Sequence, residues 1–363
     1  MLSYLKFFLT PLYLFLMATS LMIDGWIGLL IAFLVVTSIV IGELLFGDDI
    51  STPNYRFPFL LDFSLFMNVP LFLIVLYLFL DRVSSAFEWY YLLYIPILGL
   101  LMALSLINIG HELVHRTSKK FDCEVGNWAL ATAWNPAFAI EHVYGHHKNV
   151  GLPSDPATAR RGENIYLFII KASIKEHIDA WKIELNHLKR REKSRLGINN
   201  RMLIGYLKSL VITFIFYLIG GLYGMLFYLL CSIIAKSLLE VINYTEHYGL
   251  VREPDKPVCP HHSWNSNNVM SSILLYNVTR HSAHHEKSNL KFWELEPYPN
   301  APMMPHGYLS MLYLAIFAPF IYHRIMAKKL IDWDQNYASP GEREIAMKQN
   351  QMSGISLLVE QAR

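Results

Sequence analysis

Long apolar segments constrain this chain more than any other feature of its sequence. A helix that crosses the hydrocarbon core of a bilayer needs about 20 mostly apolar residues, and several segments come close to that length. They are 5–22, 26–46, 60–80, 90–110, 203–219 and 222–245. Only 17% of the residues are charged, against about 25% in a typical soluble domain. The sequence therefore predicts an all-α integral membrane protein with six transmembrane helices.

The distribution of basic residues predicts the orientation of the chain in the membrane. Of the 31 lysines and arginines, three precede residue 111 and fifteen lie between residues 111 and 202. Because basic loops stay in the cytoplasm, we expect this region to be cytoplasmic, and an even number of spans places both termini there too. The chain is then a multi-pass protein of the cell (inner) membrane. Its net charge of +2 indicates no nucleic-acid partner.

The same pattern divides the chain into four regions. They are 1–110 with transmembrane helices 1–4, 111–202 as a cytoplasmic helical region, 203–248 with helices 5–6, and 249–363 as a cytoplasmic cap with a polar tail. The second region holds one apolar stripe of helical spacing. Its members are Ile174, Ile178, Trp181, Leu185 and Leu188. We expect the stripe to pack on the cytoplasmic domain, and the alternative is that it lies on the lipid headgroups.

Nine of the 15 histidines fall in four short motifs at the predicted cytoplasmic ends of spans. They are His111 and His115 in HELVH, His142, His146 and His147 in EHVYGHH, His247 in NYTEHYG, and His281, His284 and His285 in RHSAHH. Residues four apart share one face of a helix, and imidazole binds zinc, copper, iron and nickel. One zinc ion takes about four ligands. Nine histidines therefore predict a site for two metal ions.

Polar residues near these motifs are predicted to support the ligands. A metal-bound histidine usually donates its other N–H to a carboxylate or a carbonyl. We expect that role for Glu141, Glu240, Glu246, Asn243 and Asp155, and direct ligation is the alternative for the glutamates. The other six histidines are predicted not to be ligands. They are His177, His187, His261, His262, His306 and His323.

The setting of the site favours iron. A metal site at the mouth of an apolar bundle suits a greasy substrate without a hydrolysable bond, and unactivated C–H bonds yield only to O₂ activated at a redox metal. Zinc has no redox chemistry. One rival hypothesis is a zinc membrane protease, in which His111 and His115 bind zinc and Glu112 is the general base. Another is a metal-storage or sensor protein without catalysis.

Five stretches carry a resemblance to a known family. They are HELVHR, EHVYGHHKNVGLPSDPATAR, NYTEHYGLVR, HHSWNSNN and RHSAHHE, which span the chain from about residue 100 to the tail. They are similar to the motifs of the membrane alkane hydroxylase and xylene monooxygenase family, within the histidine-box superfamily that includes fatty-acid desaturases. The NYTEHYG motif distinguishes these hydroxylases from ordinary desaturases. The tail DWDQNYASPGERE resembles the hydroxylase component of xylene monooxygenase.

This resemblance implies a fold, a cofactor and a reaction. The fold is six membrane helices with a cytoplasmic cap that holds two non-haem iron ions on the nine motif histidines. The reaction inserts one atom of O₂ into a terminal or benzylic methyl group of an apolar hydrocarbon in the lipid phase. The alternative is a fatty-acyl desaturase or lipid hydroxylase with the same site.

The electrons must come from a separate donor. The chain has no G-x-G-x-x-G motif, and its three cysteines are too few for a four-cysteine iron–sulfur cluster. The resemblance implies a rubredoxin or a flavin/iron–sulfur reductase as that donor.

Overall fold

The computed structural model describes residues 2–363, and the regular secondary structure of this range is helical. The helices up to the first histidine motif are α1 (Leu2–Leu5), α2 (Leu9–Ile23), α3 (Gly25–Leu45), α4 (Pro58–Ser85), α5 (Tyr91–Met102) and α6 (Asn108–His115). Those that follow are α7 (Lys120–Thr132), α8 (Phe138–Glu141), α9 (His147–Asn149), α10 (Ile165–Arg190), α11 (Arg201–His247), α12 (Val269–Leu274), α13 (His281–Glu286), α14 (Tyr308–Phe317), α15 (Pro319–Asn336), α16 (Pro340–Met352) and α17 (Ser356–Gln361). Two π-helical turns, Ala103–Ile107 and His142–His146, interrupt this series.

Five helical segments are long and apolar enough to cross a membrane. They are Ser3–Ile23, Gly25–Leu45, Pro58–Ser85, Tyr91–His115 and Arg201–His247. Many of their large apolar side chains face outward, as lipid-facing residues do. The all-α membrane class predicted from the sequence is confirmed.

The fifth segment folds back on itself and supplies the sixth predicted span. Gly221 has φ 59° and ψ −156°, which breaks the helix between two apolar arms. The rings of Phe216 and Tyr228 lie 4.6 Å apart, whereas 12 residues of straight helix would separate them by about 18 Å. Glycine suits this position because it adopts positive φ without a clash of Cβ. The predicted break at residues 220–221 is therefore present.

The helix predicted in the cytoplasmic region is α10, but it buries a different face. Ile174 and Ile178 are 56% and 47% exposed. The buried face instead carries small and acidic residues, which are Ala172, Glu176, Ala180 and Glu184. Glu176 and Glu184 can be buried because Lys236 and Arg201 of α11 neutralise them. The prediction that the stripe packs inward is wrong for its first half.

The polar C-terminal segment is folded against other parts of the chain. Helices α15, α16 and α17 pack on one another, and Trp333 is fully buried. Arg161, from the loop before α10, pairs with Asp334 at 2.6 Å and donates to Asn350 at 2.7 Å. The segment predicted as a polar tail is therefore folded, and some of its polar side chains are buried in contact with polar partners.

Candidate metal centre

The nine histidines of the four motifs converge on two adjacent groups. We name them the five-histidine group, made of His111, His115, His142, His147 and His284, and the four-histidine group, made of His146, His247, His281 and His285. In each group, one nitrogen from every ring lies within 4.8 Å of the others. All nine side chains are buried except His147, which is half-buried. The rings of His147 and His285 lie 4.4 Å apart, so the two groups share a wall.

The local helix type decides which group each histidine of the second motif joins. In an α-helix, His142 and His146 would share a face because they are four residues apart. Here residues 142–146 form a π-helical turn, in which hydrogen bonds join residues five apart. His142 therefore lies with His147 in the five-histidine group, and His146 points into the other group.

The last motif is also divided between the two groups. His281 and His285 are four apart on α13 and both belong to the four-histidine group. His284, one residue away, faces the five-histidine group, where its Nε2 lies 3.0 Å from that of His111. Helix α13 therefore lies between the two groups and contributes a face to each.

The spacing of the ring nitrogens fits a metal ion with more than four ligands. Nε2–Nε2 distances are 2.9 Å for His111–His142, 3.1 Å for His142–His147, 3.1 Å for His247–His281 and 3.0 Å for His281–His285. At a metal–nitrogen length of about 2.1 Å, ligands at right angles lie about 3.0 Å apart and tetrahedral ligands about 3.4 Å apart. The observed spacing and the five donors of the larger group both disfavour tetrahedral zinc.

The charge state of the rings also fits metal binding. Burial, with the nearby imidazoles adding to it, lowers the pKa of His142, His147 and His284 well below the usual histidine value. These rings are therefore neutral at physiological pH, the form in which imidazole binds a metal. The Nε2 atoms of His115 and His146 are buried without a hydrogen-bond partner among the described residues, although buried polar atoms rarely lack one. A metal ion in each group would satisfy these nitrogens.

The second ring nitrogen of several histidines has a fixed partner. His146 Nδ1–H donates to Asp155, at 3.0 Å and 3.1 Å from its two oxygens. His247 Nδ1–H donates to the carbonyl of His262 at 3.1 Å, and His281 Nδ1–H to that of Val278 at 3.3 Å. These bonds leave Nε2 free to face the group. The sequence gave no signal for the two carbonyl acceptors, because carbonyls are present at every residue.

Asp155 is itself held by its neighbours. The Thr158 hydroxyl donates to it at 2.6 Å and the Ala157 N–H at 3.2 Å. Although burial acts to raise it, the pKa of Asp155 is lowered by His146 and by the Thr158 hydroxyl. The carboxylate is therefore ionised and fixes the orientation of the His146 ring.

The other polar residues predicted to support the ligands lie elsewhere. Glu246 reaches the Nε2 side of His281, at 3.3 Å, rather than its Nδ1 side. Glu240 and Asn243 bind each other, at 3.2 Å, and bond to no histidine among the described residues. Glu141 lies against Gly145 and likewise has no hydrogen bond to a histidine in residues 2–363. None of these four therefore accepts a hydrogen bond from the Nδ1 atom of a motif histidine, which is the role that the sequence predicts for them.

The residues of the protease hypothesis are not arranged for it. The oxygen of Glu112 accepts two hydrogen bonds from Arg116, at 3.1 Å and 2.8 Å. The carboxylate is therefore engaged in an ion pair, whereas a general base must face the metal-bound water.

The histidines predicted not to be ligands lie outside both groups. His262 donates from Nε2 to Glu342 at 2.6 Å and accepts from the N–H of Cys259 at 2.9 Å. Both nitrogens are thus occupied, although His261, His262 and Glu342 are close enough to suggest a third metal site. His323 bonds to the Tyr244 hydroxyl at 2.9 Å. These contacts are structural.

An apolar cavity lies beside the five-histidine group. Its walls come from the fourth span, the last arm of α11, α14 and the turn after α12, and include Leu100, Leu104, Leu238, Ile242, Leu309 and Leu312. Its polar lining residues are His111, His142, Asn108, Asn243 and Glu246. A hydrocarbon in this cavity would therefore contact mostly apolar side chains and, at His111 and His142, two members of the five-histidine group.

Comparisons with known proteins agree with this geometry. Residues 87–315 match the family described as fatty acid desaturase. The chain is 35% identical over 254 residues to the xylene/toluene monooxygenase hydroxylase component XylM of Pseudomonas putida, covering 70% of this chain and 68% of that protein. It is 31% identical over 323 residues to an alkane 1-monooxygenase of Pseudomonas putida, with shares of 84% and 79%. Alkane 1-monooxygenase 2 of Alcanivorax borkumensis is 35% identical, but the chain spans only 58% of its length.

Proposed function

Since this chain belongs to the fatty acid desaturase family, and within it to the family of alkane and xylene monooxygenases, we propose that it is a membrane-bound hydrocarbon monooxygenase. Its substrate is an apolar molecule with a terminal or benzylic methyl group, and its products are the alcohol and water. The cofactor is a pair of non-haem iron ions, with His111, His115, His142, His147 and His284 around one and His146, His247, His281 and His285 around the other.

One observation carries this proposal: nine imidazoles from four distant motifs form two groups that lie in contact with each other. A zinc hydrolase needs about three protein ligands on one ion, and a storage site needs no apolar cavity at its edge. Bound iron supplies the activation of O₂ that an unactivated C–H bond requires. The chain itself supplies neutral nitrogen ligands, the carboxylate of Asp155 behind His146, and an apolar cavity that keeps the substrate methyl group away from water.

The electrons come from a separate protein. Cys123, Cys231 and Cys259 are all free and too few for an iron–sulfur cluster of four cysteines. We propose a rubredoxin or a flavin/iron–sulfur reductase that binds on the cytoplasmic side of the inner membrane. The basic residues of region 111–202 support a cytoplasmic position for the histidine groups. Apolar substrate reaches the cavity from the membrane lipid.

Product analysis tests the reaction. Membranes containing the protein, a rubredoxin or flavin/iron–sulfur reductase system and NADH are given n-octane, toluene or xylene under ¹⁸O₂. We expect one ¹⁸O atom in an alcohol made from a methyl group, and about two iron ions for each chain. No alcohol from any of these hydrocarbons, or about one zinc and no iron, would refute the proposal.

The family description favours one rival, a fatty-acyl desaturase or lipid hydroxylase on the same metal groups. The same experiment with an acyl-lipid substrate separates the alternatives. A desaturase leaves a double bond and no ¹⁸O in the product, whereas a lipid hydroxylase labels the acyl chain.

A further inference from the structure

A line of polar side chains runs along the last arm of α11 toward the histidine groups. Lys236, Glu240, Asn243 and Glu246 follow one another at intervals of four, three and three residues, so they lie on one face of the helix. The other residues around them are mostly apolar, as in any membrane span. Ionisable residues within spans are costly, and they commonly mark ion or proton pathways.

The end of this line farther from the histidine groups, at Lys236 and Glu240, belongs to a buried cluster of two acids and one amine. Lys236 Nζ lies 2.5 Å from Glu176 Oε2 of α10 and also contacts Glu240 Oε1. The side chains of Lys236, Glu176 and Glu240 are 12%, 3% and 0% exposed. If all three were charged, the cluster would bury one uncompensated negative charge, which is strongly unfavourable. The favoured state of the cluster as a whole therefore holds one extra proton.

The cluster reaches the cavity through a single side chain. The Asn243 amide donates to Glu176 Oε1 and to Glu240 Oε2, both at 3.2 Å. Asn243 also lines the cavity, as do His111 and His142. The chain thus places a proton-holding cluster one residue away from the predicted reaction site.

The cluster is also connected to its surroundings on the other side. The Ser173 hydroxyl donates to Glu240 Oε1 at 3.4 Å, and Ser173 is partly exposed. His177, one turn along α10, is partly exposed as well and bonds to the Ser173 carbonyl at 2.8 Å. Protons taken up at this surface of α10 can therefore refill the carboxyl pair.

We propose that Lys236, Glu176 and Glu240 form the proton donor of the reaction and deliver protons past Asn243 into the cavity. This inference rests on the proposed function. Hydroxylation breaks the O–O bond, places one oxygen atom in the C–H bond and releases the other as water, which consumes two electrons from the donor protein and two protons. The cluster passes these protons one at a time. Glu176 and Glu240 touch neither substrate nor ligand, so they are proton-transfer residues.

Glu240→Gln in the full-length, iron-loaded protein tests the proposal. The glutamine keeps the shape and the bond from Asn243 but cannot carry a proton. The assay uses the same donor system and whichever of n-octane or toluene the wild type hydroxylates. We expect an unchanged iron content and a rate of alcohol formation that falls by at least about 10-fold, because general acid catalysis is typically worth about 10²–10⁴. Hydrogen peroxide per NADH should rise, and added formate buffer should restore part of the rate.

The matched control is Glu184→Gln. Glu184 is also a buried acid on α10, but it pairs with Arg201 and does not line the cavity. We expect its alcohol rate and peroxide release to stay within about twofold of wild type, since it lies outside the pathway.

The outcomes separate the two proposals. A wild type that makes no alcohol refutes the proposed function. An active wild type with an unaffected Glu240→Gln variant, or with a loss that formate does not relieve, refutes the proton donor alone. If Glu240→Gln does not accumulate in membranes, Glu176→Gln is measured in the same way and has the same expected and contradicting results.

Discussion

Each histidine of the two groups must be held in the right ring orientation to bind a metal. A ring that offers Nε2 to a metal is fixed when Nδ1–H has an acceptor. Asp155 does this for His146 through a charged bond, and backbone carbonyls do it for His247 and His281. Only the side chain of Asp155 can be removed by substitution, so it offers the most direct test of whether these acceptors orient the rings.

Replacing Asp155 with alanine should weaken iron binding. Loss of such a partner typically costs about 10–100-fold in metal affinity or activity, and the effect should fall on the four-histidine group that contains His146. Iron retention during dialysis against a weak chelator measures it. Asp155→Asn keeps an acceptor oxygen without the charge and should lose less. Equal retention by both variants and wild type would show that Asp155 does not aim the ring.

Replacing His247 with alanine should remove one of the two irons. His247 is one of only four donors in its group, whereas the five-histidine group keeps all of its donors. The measured iron content should therefore fall from about two ions to about one for each chain, and alcohol formation should be abolished. His187→Ala is the control, because His187 belongs to neither group, and it should be near neutral. Full iron and turnover in His247→Ala would remove this residue from the ligand set.

At the scale of single elements, departures from regular helix matter most. A π-helical turn at residues 142–146 sends neighbouring histidines to different groups, and a second π turn at 103–107 lies beside the cavity. Such turns are frequently found at functional sites. A third departure, at Gly221, reverses α11 and lets its second arm run back to the histidine groups.

Alanine at Gly221 should destabilise this reversal. A residue held at φ 59° costs about 1–3 kcal/mol when it carries a Cβ, although no neighbour would meet that Cβ within 4 Å. Thermal stability of the detergent-solubilised protein, followed by size-exclusion chromatography, should therefore fall. Gly220→Ala has ordinary contacts of 3.5 Å and 3.6 Å to Leu80 and should be tolerated. A larger loss of thermal stability in Gly220→Ala than in Gly221→Ala would contradict this account.

The outward stripe of α10 should lie against lipid. Leu167, Ile170, Ile174 and Ile178 are exposed along one face, and Tyr166 bonds to the carbonyl of Ile316 at the end of the apolar helix α14. A spin label at Ile178→Cys in liposomes should be more accessible to O₂ than to a water-soluble nickel chelate. A label at Lys182→Cys, whose side chain is 67% exposed, should show the opposite preference. If both labels were more accessible to the nickel chelate than to O₂, both faces of the helix would lie in water.

At the scale of the whole molecule, the two histidine groups bring together segments that are far apart in sequence. The ends of the fourth span and of α11, the loop helices at 138–149 and α13 all meet at the two groups. A metal that binds only the folded arrangement stabilises it by mass action. Without metal, only the hydrogen bonds and packing around the rings hold these segments together.

Removing the metal should therefore lower the thermal stability of the entire protein. Stabilisation by a ligand at a thousandfold excess over its dissociation constant is about 4 kcal/mol. We expect a lower melting temperature after chelation and recovery when ferrous iron is restored anaerobically. On chelation, the melting temperature of the His247→Ala variant should fall by less than that of the wild type, because the variant starts with one ion fewer. A melting temperature unaffected by chelation would show that the centre does not hold the segments together.

The sequence by itself determined the membrane class, the apolar arms with their break at residues 220–221, and the nine histidines that meet. Span length, residue type and Gly-Gly breaks act locally, so they can be read from the chain directly. Only the tertiary structure decided the division into five and four, the π turn that separates His142 from His146, the buried face of α10 and the walls of the cavity. The division into groups and the walls of the cavity depend on segments more than a hundred residues apart in sequence, and the buried face of α10 depends on its packing against α11. Hydrophobic periodicity describes one segment at a time, so it predicts neither these contacts nor the π turn.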